Sequence, residues 1–231
     1  MKPAQMTALA LPGIPLIQEG DDLVGIIMDS LAGAGLSLAD GDVLVIAQKI
    51  VSKAEGRAVR LADVRPTPRA EELAAISGKD SRFVQVVLDE SRQVLRVRQG
   101  LIIVETNLGF ICANAGVDRS NVGPERDVVL RLPLDPDASA RRICDGLWAR
   151  SGVEVAVIVN DTHGRPWREG AVGVAIGLAG LLPVEDLRGR QDLFGYTLQV
   201  TTVGLADQLA AAASLLMGQA AESRPVILLR G

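Results

Sequence analysis

Three short stretches of the chain concentrate residue types that could do chemistry. Asn114-Ala115-Gly116-Val117-Asp118-Arg119-Ser120-Asn121 packs a carboxylate, a guanidinium, a hydroxyl and two amides around a glycine. A structural turn needs fewer such groups, so the stretch invites a ligand, although the same residues could equally satisfy their own backbone as an Asx-rich turn. Asp161-Thr162-His163-Gly164-Arg165-Pro166-Trp167-Arg168 sets a carboxylate, a hydroxyl and cations directly after an apolar run. It reads either as a site at the exit from the core or as a solvated loop with Trp167 at the surface. A hard divalent cation such as Mg²⁺ prefers carboxylate and hydroxyl oxygens together with substrate phosphates. Asp118 and Asp161 therefore make a candidate metal site that neither stretch makes alone, provided the two meet in space. The third stretch, Gln48 to Arg57, holds Lys49 and Lys53, two of the chain's four lysines. A lysine at a strand end is a usual partner for phosphate or carboxylate, but charge runs are more often simply solvated.

The motifs that are missing narrow the chemistry. No G-x-x-x-x-G-K-[ST] occurs, so a nucleotide is not held by a P-loop, and no G-x-G-x-x-G follows a strand. His163 is the only histidine, which excludes H-E-x-x-H zinc chemistry, and there is no G-x-S-x-G elbow. His163 reads as a loop residue and Cys112 as a small buried hydrophobe, since nothing near it in sequence would favour a thiolate. Catalysis must then rest on carboxylates, amides, cationic side chains and hard metal ions.

These groups have to be positioned by a chain of 231 residues, 48% of them hydrophobic, which is enough for one large domain or two small ones. The net charge of −4 argues against a nucleic-acid partner, whose binders usually carry a basic stripe. Cys112 and Cys144 form no C-x-x-C pair, so neither a disulfide framework nor a thiolate zinc site is expected, and a reduced cytoplasm is the simplest location. No run approaches the ~18 apolar residues a membrane span needs, and no export signal is read at the start.

Element signals place the three stretches at strand ends. Asp22 precedes Leu23, Ile26, Ile27 and Leu31 at helical spacing, with Gly33 to Gly35 as a stop. Val43–Ala47 reads as a buried strand that delivers Gln48 to Gly56 as a polar loop. Thr67-Pro68 with Glu71 and Glu72 predicts a capped helix closed by Gly78, and a second helix follows from Ser81 to Ser91. Val94 to Val97, Leu101 to Thr106 and Asp127 to Leu132 are strand candidates. Asp135-Pro136-Asp137 starts a helix carrying Ile143 and Leu147, and Val153 to Val159 is a strand ending at Asn160-Asp161-Thr162. Ala171 to Leu182 is too glycine-rich for an exposed helix and reads as a buried strand or close-packed turn. Leu205 to Met217 is an alanine-rich helix and Pro225 to Leu229 a terminal strand. Without strict alternation, the pattern is a mixed α+β fold, residues 1–231 forming a single domain with a weak sub-domain boundary near 133–137.

At this point the sequence resembles a known family. Gly20-Asp21-Asp22-Leu23, Asp40-Gly41-Asp42-Val43, Lys49-Ile50-Val51-Ser52-Lys53-Ala54-Glu55-Gly56, Cys112 through Val122, and Asp161 through Arg168 closely resemble the coenzyme F420:L-glutamate ligases, also called F420 gamma-glutamyl ligases, in the family's order. Asp135 through Ala140, Val174-Ala175-Ile176-Gly177, Met217-Gly218 and Arg230-Gly231 extend the resemblance over essentially the whole chain. It implies GTP-driven formation of an amide between the terminal carboxylate of an F420 precursor and L-glutamate, by way of an acyl phosphate, with γ-linked additions in later rounds. It also implies Mg²⁺ or Mn²⁺ as two ions, stimulation by K⁺, and a homodimer of mixed α/β subunits.

Carried over by position, Asp118 and Asp161 resemble ligands of one metal and Thr162 a ligand of the second. Asn121 resembles a nucleotide contact. Ile14, Pro15, Leu16, Ile17, Gln48 and Lys53 match positions lining the nucleotide or cofactor pocket, and Met217, Gly218 and Gln219 a further guanine-nucleotide segment. Asp118, Asp161 and Lys53 are the candidate catalytic groups. One departure is that Asn107 and Leu108 stand where many relatives carry a basic residue and a histidine. Another is that the flavin-binding, reductase-like domain of actinobacterial relatives is not expected here. The alternatives are an amide ligase of this fold acting on another carboxylate, and a deazaflavin- or GTP-binding protein without turnover.

Overall fold

The computed structural model describes residues 3–231. The chain opens with β1 (Thr7–Ala10), α1 (Leu23–Gly33), β2 (Val43–Ala47), α2 (Gln48–Ala54) and β3 (Ala58–Arg60). It continues through α3 (Pro68–Ser77), α4 (Ser81–Asp89), β4 (Ser91–Arg98), β5 (Leu101–Thr106), β6 (Ile111–Ala113) and β7 (Val128–Leu130). The rest is α5 (Pro136–Ser151), β8 (Ala156–Arg165), β9 (Arg168–Ala179), β10 (Glu185–Asp186), β11 (Thr202–Val203), α6 (Leu205–Met217) and β12 (Val226–Arg230). The mixed α+β class is as expected.

The caps form where the sequence places them. The Thr67 hydroxyl accepts from Ala70 N–H ahead of Pro68, and Gly78 closes α3 in the left-handed region at φ 69°. Asp135 caps α5 in the same way, accepting from Ala138 N–H, with Gly152 at the far end.

Five strands in the order β1-β12-β2-β8-β9 form the main sheet, with β2 and β8 parallel and the other neighbours antiparallel. Alternation sorts its side chains. Leu44, Ile46, Val157, Val159, Val226 and Leu228 face one layer with Ile27 and Leu31 of α1 and Ile143 and Leu147 of α5. Val45, Ile158, Ile227 and Leu229 face the other, against Ala206, Ala210, Ala213 and Met217 of α6. Each fully buried aliphatic side chain contributes roughly 1.5–3 kcal/mol of transfer free energy, so the two layers stabilise the sheet from both sides. The terminal strand is locked by Arg230, whose Nε and Nη2 donate to buried Asp42 at 2.7 and 2.6 Å.

A second unit has its own core. The antiparallel sheet β4-β5-β6 packs with α3 and α4 around Leu73, Phe83, Val84, Val87, Ile102, Val104, Val117 and Val129. Ion pairs help to tie it to the main unit. Arg57, just past α2, donates through Nη2 to both oxygens of Glu90 at 2.9 and 3.0 Å, and Arg131 reaches the same carboxylate at 3.3 Å.

Two element readings need correction. Gln48 to Gly56 is not a polar loop: α2 begins directly after β2 and buries Gln48, Ile50, Val51 and Ser52. Two turns are too few for the helical period to stand out against the polar residues. The strand read as ending at Val159 runs on to Arg165, because Asp161, Thr162, His163 and Gly164 pair with Val174, Gly173, Val172 and Ala171 of β9. Polar side chains do not end a strand when a neighbour supplies the ladder.

Candidate active site

Because β2 and β8 are parallel neighbours with Ala47 beside Asn160, both deliver their next residues at one edge of the sheet. Carboxyl ends of parallel strands are where α/β sheets usually present their functional groups. Gln48 leaves β2 there, and Asp161 follows on β8. Asp118 arrives from the second unit by a relay of backbone pairings. β3, which follows α2, pairs with β7 through Ala58 and Leu130, and Leu130 exchanges both backbone hydrogen bonds with Asp118 at 2.9 Å. The residues before Asp118 turn sharply, with Asn114, Ala115 and Gly116 at φ 54°, 55° and 68°. Ala115 in this region is strained, and burial holds it there.

The two acidic stretches therefore meet. Gln48, 1% exposed, donates from Nε2 to Asp118 Oδ2 at 2.7 Å while its Oε1 accepts from Ser52 Oγ at 2.9 Å, which fixes the amide's orientation. Lys49 Nζ lies 3.4 Å from the same carboxylate oxygen and donates to Ser120 Oγ at 3.1 Å. Burial pushes the Asp118 carboxyl up to about 6, Lys49 opposes the rise, and the charge of Asp161 adds to it. Asp161 is itself buried, and its Oδ2 lies 3.2 Å from His163 Nε2, with Phe110 edge-on against that ring. Thr162 Oγ1 donates to Gln219 Oε1 at 3.3 Å, and Asn121 Nδ2 donates to Ala220 O at 2.8 Å. Met217, buried at the end of α6, and Gly218, which turns the chain at φ 72°, bring Gln219 to that position.

Other candidates sit further out. Lys53 is one turn beyond Lys49 on α2 and half-buried, and both burial and the neighbouring Lys49 charge depress its pKa. It makes no ion pair among the described residues. Ile17 is buried and Ile14 packs against the main core, whereas Pro15 and Leu16 are exposed. That segment meets the opposite end of α2, where Gly20 N–H donates to Ala54 O. Arg119 stacks over Phe83 at 4.5 Å, and Trp167 is fully exposed at the turn of the β8–β9 hairpin.

The Asx-turn alternative for the 114–121 stretch is not what forms. Asn121 reaches across to Ala220, and the side-chain oxygen of Asn114 is buried without a partner. Sequence reasoning named Lys49 and Ser120 only as members of their stretches, without their partners, and read His163 as a loop residue, whereas it lies on β8 against Asp161. The period of two would have found His163, since residues 161 and 163 of one strand share a face.

The donor set suits a hard cation. A buried carboxylate (Asp161) and a half-buried one (Asp118) that repel one another, a hydroxyl and an amide oxygen offer oxygen ligands, the preference of Mg²⁺ and Mn²⁺. Among the described residues no three His, Cys, Asp or Glu side chains gather as a ligand group, so two carboxylates would need other oxygens to complete a coordination shell.

Residues 13–231 match the sequence model of the F420-0:Gamma-glutamyl ligase family. The chain belongs to that family. It is 48% identical over 226 residues to the coenzyme F420:L-glutamate ligase of Methanothermobacter thermautotrophicus, covering 98% of this chain and 89% of the relative. The enzymes of the same name from Methanopyrus kandleri and Archaeoglobus fulgidus are 46% and 44% identical, over 98% and 95% of this chain and 88% and 85% of theirs. One glycine of this chain has structural work here: a Cβ on Gly177 would lie 2.3 Å from the backbone of Pro136, so α5 can sit on β9 only with glycine there.

Proposed function

We propose that the protein is a GTP- and divalent-metal-dependent ligase that joins L-glutamate to the terminal carboxylate of an F420 precursor, with γ-linked additions in later rounds. The observation that carries this reading is the meeting of Asp118 and Asp161 at one sheet edge, with Lys49 on the same carboxylate. Family membership and the relatives' shared name supply the substrate.

In the proposed reaction a carboxylate oxygen of the precursor attacks the γ-phosphorus of GTP, and GDP leaves. The glutamate amine then attacks the acyl carbon, the phosphate departs, and the amine gives up a proton. Gathering that many anionic oxygens is the chief obstacle, and fixed cations are the chief remedy. Asp118, Asp161 and Thr162 would hold Mg²⁺ or Mn²⁺ as two ions, which would neutralise charge on the transferring phosphoryl group. Gln48 keeps the Asp118 carboxylate aimed by one hydrogen bond and is itself held by Ser52. Lys49 and Lys53 present two ammonium groups one helical turn apart, and burial first, then the Lys49 charge, lowers the pKa of Lys53. Asn121, Met217, Gly218 and Gln219 would contact the nucleotide, and Ile14 to Ile17 with Gln48 would line its pocket.

The proposal includes K⁺ as an activator and a homodimer. Support for the dimer comes from the arm around β10 and β11, where Leu182, Leu193, Phe194, Tyr196 and Val200 are all exposed. No helix among the described residues is long and apolar enough to cross a membrane, and we place the reaction in the cytoplasm.

Incubation of the purified protein with GTP, Mn²⁺, L-glutamate and unglutamylated F420 precursor tests the assignment. The product is expected to gain the mass of one or more glutamyl residues, with GDP released in equal number. Absence of any mass increase under these conditions would overturn it.

A further inference from the structure

Asn160 stands one residue before Asp161 on β8, is 4% exposed, and points toward α6. Its Nδ2 donates to Ser214 Oγ at 3.1 Å and lies 3.4 Å from the Met217 sulfur, so one amide grips the last turn of α6 at two points. The Ser214 hydroxyl donates its own hydrogen bond to Ala210 O at 2.9 Å, leaving its oxygen free to accept. The other end of the Asn160 amide, Oδ1, is buried with no partner. A buried carbonyl without a hydrogen bond is a cost that an apolar residue of similar size would avoid. Its presence directly beside two site residues points to a use for the contact with α6.

The neighbouring strand is shaped to the same end. Gly173 is paired with Thr162, and a Cβ there would lie 2.0 Å from Ser214 Oγ, 2.7 Å from Ala210 O and 2.8 Å from Asn160 Oδ1. Only glycine lets α6 close on β8 at this height. Two residues past Met217, Gln219 receives the Thr162 hydroxyl, and Ala220 receives Asn121. The amide of Asn160 thus joins the strand bearing Asp161 and Thr162 to the turn bearing Gln219.

We propose that Asn160, with Gly173 as its seat, is a positioning residue that sets where Gln219 stands relative to Thr162 and Asp161. Through Gln219 it sets the affinity of the site for a divalent cation bound with a nucleoside triphosphate. The inference rests on the metal and nucleotide reading given above and deepens it. Asn160 touches neither ion nor substrate and acts only by holding the end of α6.

The test measures binding of Mn²⁺ in the presence of a non-hydrolysable GTP analogue, by titration of free Mn²⁺ in electron paramagnetic resonance, alongside thermal melting. Asn160→Ala is expected to weaken Mn²⁺ binding about tenfold, the lower range for loss of a group that orients a ligand. Gln219→Ala is expected to weaken it comparably, and the double variant no more than Gln219→Ala alone, because the first acts through the second. Ser214→Ala, which leaves the core volume nearly intact, is expected to give a smaller loss in the same direction, and it decides the matter if Asn160→Ala fails to fold. Unchanged Mn²⁺ affinity in the folded variants, or losses that multiply in the double variant, would show the amide to be purely structural. A wild-type protein that binds no Mn²⁺ with the analogue would overturn the metal reading itself, and this assignment with it.

Discussion

The two carboxylates of the site are held by opposite means. Asp161 sits inside a long ladder, with Asp161 and Thr162 paired to Val174 and Gly173, so its backbone position follows from the sheet. Asp118 lies beyond a turn in which three successive residues have positive φ, and it is clamped at one bridge to Leu130. The first arrangement is regular and needs little from side chains. The second stores strain, depends on Gly116 and on burial of Ala115, and needs Gln48 and Lys49 to aim the carboxylate. A sheet supplies one half of the site, then, and side-chain clamps supply the other. The two halves should fail differently.

The largest expected effect tests what they share. Asp118→Asn and Asp161→Asn each remove a charge from the proposed metal site, and each is expected to reduce turnover at least about a thousandfold, ~4 kcal/mol in barrier. Melting curves should separate them. Burial and the facing Asp161 disfavour the charged form of Asp118, so Asp118→Asn is expected to keep or slightly raise the melting temperature while abolishing glutamate addition. A clear fall in stability would show that the carboxylate is a structural support and break the comparison.

Next in size is the strained turn. Gly116→Ala puts a side chain at φ 68° with its Cβ 2.8 Å from Leu132. A destabilisation of roughly 1–3 kcal/mol is expected in urea unfolding, together with weakened metal binding. Gln48→Leu is expected to cost about 1–3 kcal/mol, since it leaves buried Ser52 without its acceptor, and to lower activity by freeing Asp118. Activity unchanged in Gln48→Leu would mean that the bridge to Leu130 alone places Asp118.

The smallest effect lies away from the site. Asp80 caps α4 by accepting from Arg82 N–H, and the Arg82 guanidinium beside it holds its carboxyl at about 2. Asp80→Ala is expected to cost about 1 kcal/mol with turnover intact. Because the folded pKa lies below the unfolded value near 3.8, the stabilisation is complete above that value. It should disappear as pH falls toward 2, and a variant lacking the carboxyl should show no such loss.

Much of this was legible from residue order. Helix starts at Thr67-Pro68 and Asp135-Pro136, the stop at Gly78, and the aliphatic runs of β2 and β12 all declare themselves locally, because caps, left-handed glycines and period-two burial are short-range effects. The two acidic stretches were also visible as places with more polar groups than a turn needs. Less legible were α2, too short to show its period, and the extension of β8, whose polar residues are sheet members only because β9 lies beside them. The partner of Lys49 and the strand position of His163 were hidden for the same reason. Their importance is a matter of which carboxylate they face, and neither partner is evident from the chain alone.

By itself, then, the order of residues determined the element types, the absence of a P-loop, and which side chains could bind a cation or a phosphate. It could not determine that residues 118 and 161 share one sheet edge. That was decided by the pairing of β2 with β8, of β3 with β7, and of Asp118 with Leu130. Strand partners are chosen by burial and hydrogen-bond closure over the whole fold, which no local signal encodes.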